Sequence, residues 1–411
     1  MILHSIMNFA RALKRLILLP IHVVQLGTTA KSFLDNPVIG SQRLNARGLH
    51  RGRMRLAGAM TTRRRRRLAA TVRPEWREAF DRQGFVAIEN IVPAKQFADL
   101  RNAILSYEGP AREMVQGDAI TRRLAVDPAM LRAIPALRTL LERPDLRALF
   151  HYVAGFRIEP LHYIQTIVTH IANDPGADPQ EVLHADAFHS SLKAWLFLNP
   201  VQADEAPFRF VPGSHRLTPE RLAWEYRRSL ADPRAIDRLS ARGSPRVNSE
   251  DLAAMKLPDA VELSVPANTL VVADTIGFHA RGASARAVER VEIWSYARRN
   301  PFLPWLGGDV LSLPGLAERR VNWLWHTRDW MEAWMGQPWR NVGKRMASKQ
   351  PGVIASLRWA RPRQTATLDP VWVKILQGFS TPHRDESKLN DGHSIDFAIS
   401  LLTRVLYDTD L

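Results

Sequence analysis

At 411 residues the chain is long enough for one large domain with extensions or for two domains, and its 45% hydrophobic content is that of an ordinary globular protein. It has no cysteine, which excludes disulfides and thiolate metal sites and leaves only nitrogen and oxygen to hold a metal. A net charge of +16 suggests a nucleic-acid partner until it is located: residues 1–67 carry 14 Lys/Arg against the single acid Asp35, and the rest of the chain is left with +3.

The chain opens on a helical pattern. Ile2, Ile6, Phe9, Leu13, Leu16 and Ile17 recur at helical intervals with Arg11, Lys14 and Arg15 between them, which predicts a basic amphipathic helix able to lie on an anionic membrane surface. The uncharged run Leu16–Ala30 is 15 residues long and contains Pro20, short of the ~20 apolar residues that span a bilayer. Three other readings stand beside the first: a secretory signal without a convincing cleavage site after Leu26, an organelle transit peptide rich in arginine, and a helix docked on the protein itself. Arg63–Arg67 is a run of five arginines. No aromatic interleaving accompanies it, so a solvated charged helix or a lipid-headgroup contact is expected over nucleic acid.

Pro74–Tyr107 reads as helix, strand, helix, and residues 110–150 as mostly helical, punctuated by Pro128, Pro135 and Pro144. Arg157–Ile171, rich in Ile, Val, Thr and Tyr, reads as a strand ending at the turn Asn173–Gly176. Further strands are expected at Leu192–Leu198, Phe208–Val211, Val261–Val265, Thr269–Ala273 and Arg290–Ala297. A polar helical insert at 219–254 is placed over the pocket mouth. Many short strands with turns between them suit a mainly β fold with flanking helices, its core a double-stranded β-helix (jelly roll, cupin-like). The chain divides into a basic helical N-terminal leader (1–70), the jelly-roll domain (71–300) and a helical Trp-rich C-terminal extension (301–411). The extension holds 8 of the 12 tryptophans. A stripe such as Trp323, Trp330 and Trp334 is expected to pack on a core, with membrane-interface anchoring as the alternative.

The chemistry gathers in LHADAFHSSLKAWLFLNPVQADEAPFRFVPGSH, residues 183–215. On an extended backbone His184 and Asp186 point the same way, and an imidazole beside a carboxylate can supply two ligands of a 2-His-1-carboxylate facial triad. His279 in VVADTIGFHARG is the best third ligand. A lone His-x-Asp is a weak signal among 13 histidines, and His383-Arg384-Asp385 repeats it in a polar loop that reads as a solvated turn. His189, His170 and Lys193 are candidates to face a substrate, while His215 in Pro-Gly-Ser-His is expected to fix a turn.

From about Phe80 to Tyr296 the chain resembles the phytanoyl-CoA dioxygenase family of iron(II)/2-oxoglutarate oxygenases. The resemblance runs through FDRQGFVAIENIVPAKQFADLRNAI from Phe80, His-Ala-Asp at His184, Ala194-Trp195, Pro-Gly-Ser-His from Pro212, His279, and Arg290 eleven residues later. Glu205-Ala206-Pro207 and Ala267-Asn268 depart from the family's usual turns, which touches backbone shape more than ligands. The resemblance implies a jelly-roll enzyme binding Fe(II), with 2-oxoglutarate as cosubstrate and O2 as oxidant. Asp186 stands where halogenating relatives carry a small residue, which favours hydroxylation.

By the same resemblance Arg290 would hold the far carboxylate of 2-oxoglutarate, a task for which a planar, permanently charged guanidinium is suited. Arg281 and Arg286 are its rivals, and Glu292, on the same face, offers a purely structural partner. Trp195 would wall the cosubstrate pocket and Gln165 would contact the cosubstrate. The substrate is expected to be small, or amphiphilic and lipid-linked. The protein is expected in the cytoplasm, with peripheral contact to an anionic membrane through residues 1–67. A non-catalytic membrane-associated scaffold that keeps the jelly roll is the alternative.

Overall fold

A computed structural model describes residues 18–171 and 178–348. Its frame is an antiparallel sheet of eight strands in the order β1-β8-β5-β10-β4-β3-β2-β11: β1 Phe85–Ile88, β2 Glu108–Gln116, β3 Ala119–Ala125, β4 Leu161–Thr169, β5 Leu192–Phe197, β8 Thr269–Asp274, β10 Glu289–Ala297 and β11 Arg340–Met346. A smaller sheet, β7-β6-β9, joins Val261–Leu263, Phe208–Phe210 and His279–Arg281. Two antiparallel sheets with helices around them are the expected jelly roll.

The main sheet is buried on both faces, and side-chain alternation gives each face its own task. Its outer face is apolar. Ala194, Leu196, Leu270, Val272, Val291 and Ile293 pack with Leu100 and Ile104 of helix Ala94–Ser106 and with Leu149 and Val153 of helix Pro144–Ala154. The inner face carries Lys193, Trp195, Gln165, Arg290, Glu292 and Trp294, brought level by pairings such as Trp195 with Trp294 and Gln165 with Glu292. That face looks onto the small sheet, since the rings of Trp195 and Phe208 lie 4.4 Å apart.

Residues 110–125 are not helical as expected. They form the β2–β3 hairpin, which turns at Gly117 (φ +56°) and Asp118. Arg112, Glu113, Arg122 and Arg123 are buried there, and charged residues on strands hide the apolar alternation that identifies a strand. Another glycine is needed for space as well as angle. Gly84 ends helix Pro74–Gln83 at φ +90°, and a Cβ there would come within 2.5 Å of His215 Nδ1.

The basic leader is not simply solvated. Helix Leu49–Leu68 lies against helices Pro144–Ala154 and Pro219–Ser229, and the arginine run divides by helical phase. Arg64, 1% exposed, donates to the carbonyls of Gly155, Pro301 and Leu303. Arg65 donates to Tyr152 and Val153 carbonyls and pairs with buried Asp274 at 2.7 Å, whereas Arg63, Arg66 and Arg67 are exposed. Part of the positive charge thus holds the body together.

The C-terminal tryptophans also divide. Trp325 and Trp339 are buried, but Trp323 (43% exposed) and Trp330 (62%) face outward, contrary to the core packing expected of that stripe. The helix Arg320–Trp330 buries Leu324, Trp325 and Arg328 instead, so its inward face lies about one residue away from the tryptophan stripe. The opening amphipathic pattern, the Asn173–Gly176 turn, the Trp334 side chain, Trp359, Trp372 and His383–Asp385 lie outside the described residues. Among those described, no helix is long and apolar enough to cross a membrane.

Candidate metal centre

His184 enters the small sheet through a single antiparallel bridge to β9. Its N–H donates to the His279 carbonyl and the reverse bond is also made, both at 2.9 Å. This pairing of distant segments sets the two imidazoles 4.6 Å apart, centroid to centroid. Asp186, two residues on, is anchored by its N–H to the Thr275 carbonyl at 2.9 Å, and the Lys31 ammonium caps its own carbonyl at 2.8 Å. The helical insert packs directly on the site-bearing segments. Trp224, Val247, Leu252 and Met255 pack on Ala185 and Phe278, the neighbours of the site residues.

Hydrogen bonding orients both rings. His184 Nδ1–H donates to the Val182 carbonyl (2.7 Å) and His279 Nδ1–H to the Gly277 carbonyl (3.0 Å), which leaves each Nε2 with its lone pair. Those nitrogens stand 3.9 Å and 3.7 Å from Asp186 Oδ1, and the ligand atoms of all three residues lie within 4.8 Å of one another. His279 Nε2 is buried with no hydrogen-bond partner. No other cluster of this kind occurs among the described residues.

Electrostatics complete a donor set for a divalent cation. Burial first, with the neighbouring positive charges, holds His279 down to about 4 and His184 well below its usual value, so both are neutral near pH 7. Burial alone would raise the Asp186 carboxyl. Lys193, whose ammonium lies 2.7 Å from Oδ2, leads the neighbouring charges that outweigh it and keep the group ionised. Two neutral nitrogens and one carboxylate fit iron(II), and an Nε2 lone pair with no donor beside it fits a metal-ligating atom.

The cosubstrate candidates lie on the inner face close by. Trp195 reaches the centre through Phe208, whose ring is 6.0 Å from that of His279. Arg290 is buried, pairs with Glu292 (Nε to Oε2, 3.0 Å) and donates to the Ala206 carbonyl. Gln165 donates to Glu292 Oε1 at 2.6 Å and accepts from Arg123 at 2.8 Å, so both its polar ends are engaged. The rivals of Arg290 are committed elsewhere. Arg281 pairs with Asp178, and exposed Arg286 with Asp204 and Glu205. His170, half exposed, bonds the Ser284 carbonyl, and His215 sits beside Phe80, away from the cluster.

Sequence reasoning left two supports unassigned. Lys193 clamps the carboxylate, which its two-residue spacing from Trp195 on one strand face could have suggested. Asp274 receives Arg65 on one oxygen and the Ser191 and Ile276 N–H groups on the other, tying together the two loops that carry the site. Its partner Arg65 lies 209 residues away, and no local signal reveals it.

A jelly roll that gathers two imidazoles and a carboxylate has the donor set of a mononuclear non-haem metal site. Residues 80–253 match the family model described as phytanoyl-CoA dioxygenase (PhyH), so this part of the chain is similar to that family. Among solved structures it is similar to the epimerase SnoN in complex with Fe3+, alpha ketoglutarate and nogalamycin RO (21% identity over 59% of this chain and 90% of that one, TM-score 0.38). It is also similar to the carbocyclase SnoK from nogalamycin biosynthesis (19%, 56% and 84%, TM-score 0.36). A third likeness is to HygX from Streptomyces hygroscopicus with nickel and 2-oxoglutarate bound (16%, 55% and 87%, TM-score 0.35). No curated protein sequence matches the chain.

Proposed function

We propose that the protein is a hydroxylase in which His184, Asp186 and His279 hold iron(II) and Arg290 anchors the far carboxylate of 2-oxoglutarate. The observation that carries the assignment is the buried, partnerless Nε2 of His279, aimed with its counterpart on His184 at one carboxylate oxygen. Iron bound there with 2-oxoglutarate and dioxygen supplies an oxidant for a substrate C–H bond, releasing succinate and carbon dioxide.

The chain's own residues orient and exclude. Val182 and Gly277 carbonyls fix the imidazole tautomers, and Lys193 fixes the carboxylate rotamer. Arg290 exchanges part of its pairing with Glu292 for the incoming carboxylate, with Trp195 as the wall and Gln165 holding Glu292 in place. Anaerobic addition of iron(II) and 2-oxoglutarate should give a weak visible charge-transfer band. Succinate release across a panel of small molecules then identifies the substrate, and a panel that yields epimer or ring-closed product instead of alcohol would replace hydroxylation with that outcome.

The alternative, a scaffold without activity, predicts no such band. Membrane contact through residues 1–67 is a separate proposal resting on the basic amphipathic opening, with an amphiphilic or lipid-linked substrate as its corollary. Exchanging Arg11, Lys14 and Arg15 for glutamine should release the protein from anionic vesicles, and unchanged partitioning removes the idea.

A further inference from the structure

Helix Leu49–Leu68 offers one more surface that the metal centre does not use. Arg55, Ala59, Thr62 and Arg66 recur at steps of three and four and lie on one helical face. All four line a single cavity of about 720 Å³, a volume suited to one small ligand. Small side chains in the middle of the stripe leave the space, and arginines stand at its ends. Across the cavity are Arg77 and Arg216, while Asp81 is its sole acidic lining residue.

The positive charges around this space are only partly neutralised from within. Asp81 accepts both of its short bonds, 2.8 and 3.0 Å, from the Tyr152 hydroxyl. Arg77 donates to the Ala69 carbonyl and Arg216 to those of Asp81 and Arg82, which satisfies N–H groups but cancels no charge. Arg55 and Arg66 are exposed and have no carboxylate partner among the described residues. Four guanidinium groups thus face one concavity against the single carboxylate of Asp81, an excess of positive charge that an entering anion offsets.

A buried group supports the same reading. His189 is 1% exposed and lines the cavity. Its Nδ1–H donates to the Ser190 carbonyl at 3.0 Å, and its Nε2 has no hydrogen-bond partner. With Nδ1–H committed, that nitrogen carries a lone pair and is placed to accept from a ligand hydroxyl beside an anionic group. Forked guanidinium groups match tetrahedral oxyanions, which take two N–H bonds from each.

We propose that this cavity is a second ligand site that binds the phosphate or diphosphate group of a small molecule. It is distinct from the metal centre, since none of His184, Asp186 and His279 lines it. Yet it shares walls with the segments that carry them: His189 and Ser190 follow Asp186, and Ile276 precedes His279. A ligand held there by its phosphate is therefore set against both site-bearing loops.

The test uses the full chain and its Arg55→Gln/Arg66→Gln double variant, two exposed positions whose exchange leaves the fold intact. Pyrophosphate and glycerol phosphate are titrated calorimetrically at constant ionic strength, and phosphatidylcholine vesicles with and without phosphatidate are tested by co-sedimentation. Saturable 1:1 binding, weakened by about tenfold or more in the variant, is the expected result. Binding of the soluble phosphates assigns the site to a free metabolite, whereas binding only to phosphatidate vesicles assigns the same chemistry to a lipid headgroup. The proposal is overturned if the wild type binds neither, or if the variant binds as well as the wild type. Iron(II) titration of both proteins keeps this outcome separate from the metal assignment, because the variant should bind metal unchanged.

Discussion

Two buried polar clusters sit between the sheets, and they are built on opposite principles. Around Glu292 the groups answer one another: Arg290 pairs with it, Gln165 donates to it, and Arg123 donates to Gln165 while stacking on Trp294 at 4.0 Å. At the His184–Asp186–His279 cluster the donors point at a common space and leave His279 Nε2 without a partner. A buried polar atom without a bond costs stability; Arg290 Nε and Glu292 Oε2 offset theirs by facing each other's charge, whereas His279 Nε2 has no donor to answer its lone pair. The first cluster reads as structure that a ligand can rearrange, the second as a set of donors that fits a metal ion.

Removing a ligand of the second cluster should have the largest effect. Asp186→Ala and His279→Ala are expected to abolish the iron(II)/2-oxoglutarate charge-transfer band and bring succinate release to background; the melting temperature of His279→Ala should change little or rise, whereas Asp186→Ala should lower it by leaving Lys193 unpaired. A band that survives in both would dissolve the contrast between the clusters.

Breaking the first cluster should instead cost stability. Glu292→Gln leaves the Arg290 guanidinium buried and unpaired, at about 3–5 kcal/mol in urea unfolding. If Arg290 receives the cosubstrate carboxylate, 2-oxoglutarate will raise the melting temperature of Glu292→Gln more than that of the wild type. Arg290→Ala, for its part, should weaken 2-oxoglutarate binding, and equal cosubstrate affinity in that variant would assign Arg290 to structure alone.

The pH response of the metal-free protein follows from its buried imidazoles. His215 and His279 are each held down to about 4, mainly by burial, against the usual 6.5. Between those values the unfolded chain binds more protons than the folded one, so stability rises with pH from about 4 to 6.5 and levels off above. His279→Asn should flatten part of this slope in urea unfolding followed across that range.

The smallest contrast lies among the tryptophans. Trp325→Ala should cost about 3–5 kcal/mol, as large-to-small exchanges in a core do. Trp323→Ser and Trp330→Ser should stay within about 0.5 kcal/mol of wild type, as surface exchanges do. A larger loss in either would place a partner over that face.

The local patterns carried much of this molecule. Alternation and turn residues identified most strands of the jelly roll. The two-residue spacing of His184 and Asp186 put both side chains on one side, and family order picked His279 from 13 histidines. These features survive in a linear reading because strand geometry converts spacing directly into direction.

What the tertiary structure decided was pairing across distance. It turned residues 110–125 into a hairpin, where Arg122 pairs with Glu113 across the turn while buried Arg112 and Arg123 find partners only once helix Arg320–Trp330 and β4 are in place. The same holds for the choice among Arg63–Arg67, where Arg64 and Arg65 turn inward to carbonyls and to Asp274 that lie far along the chain. A charge in the sequence looks the same whether water or a buried carboxylate will answer it, and only folding brings the answering group within reach.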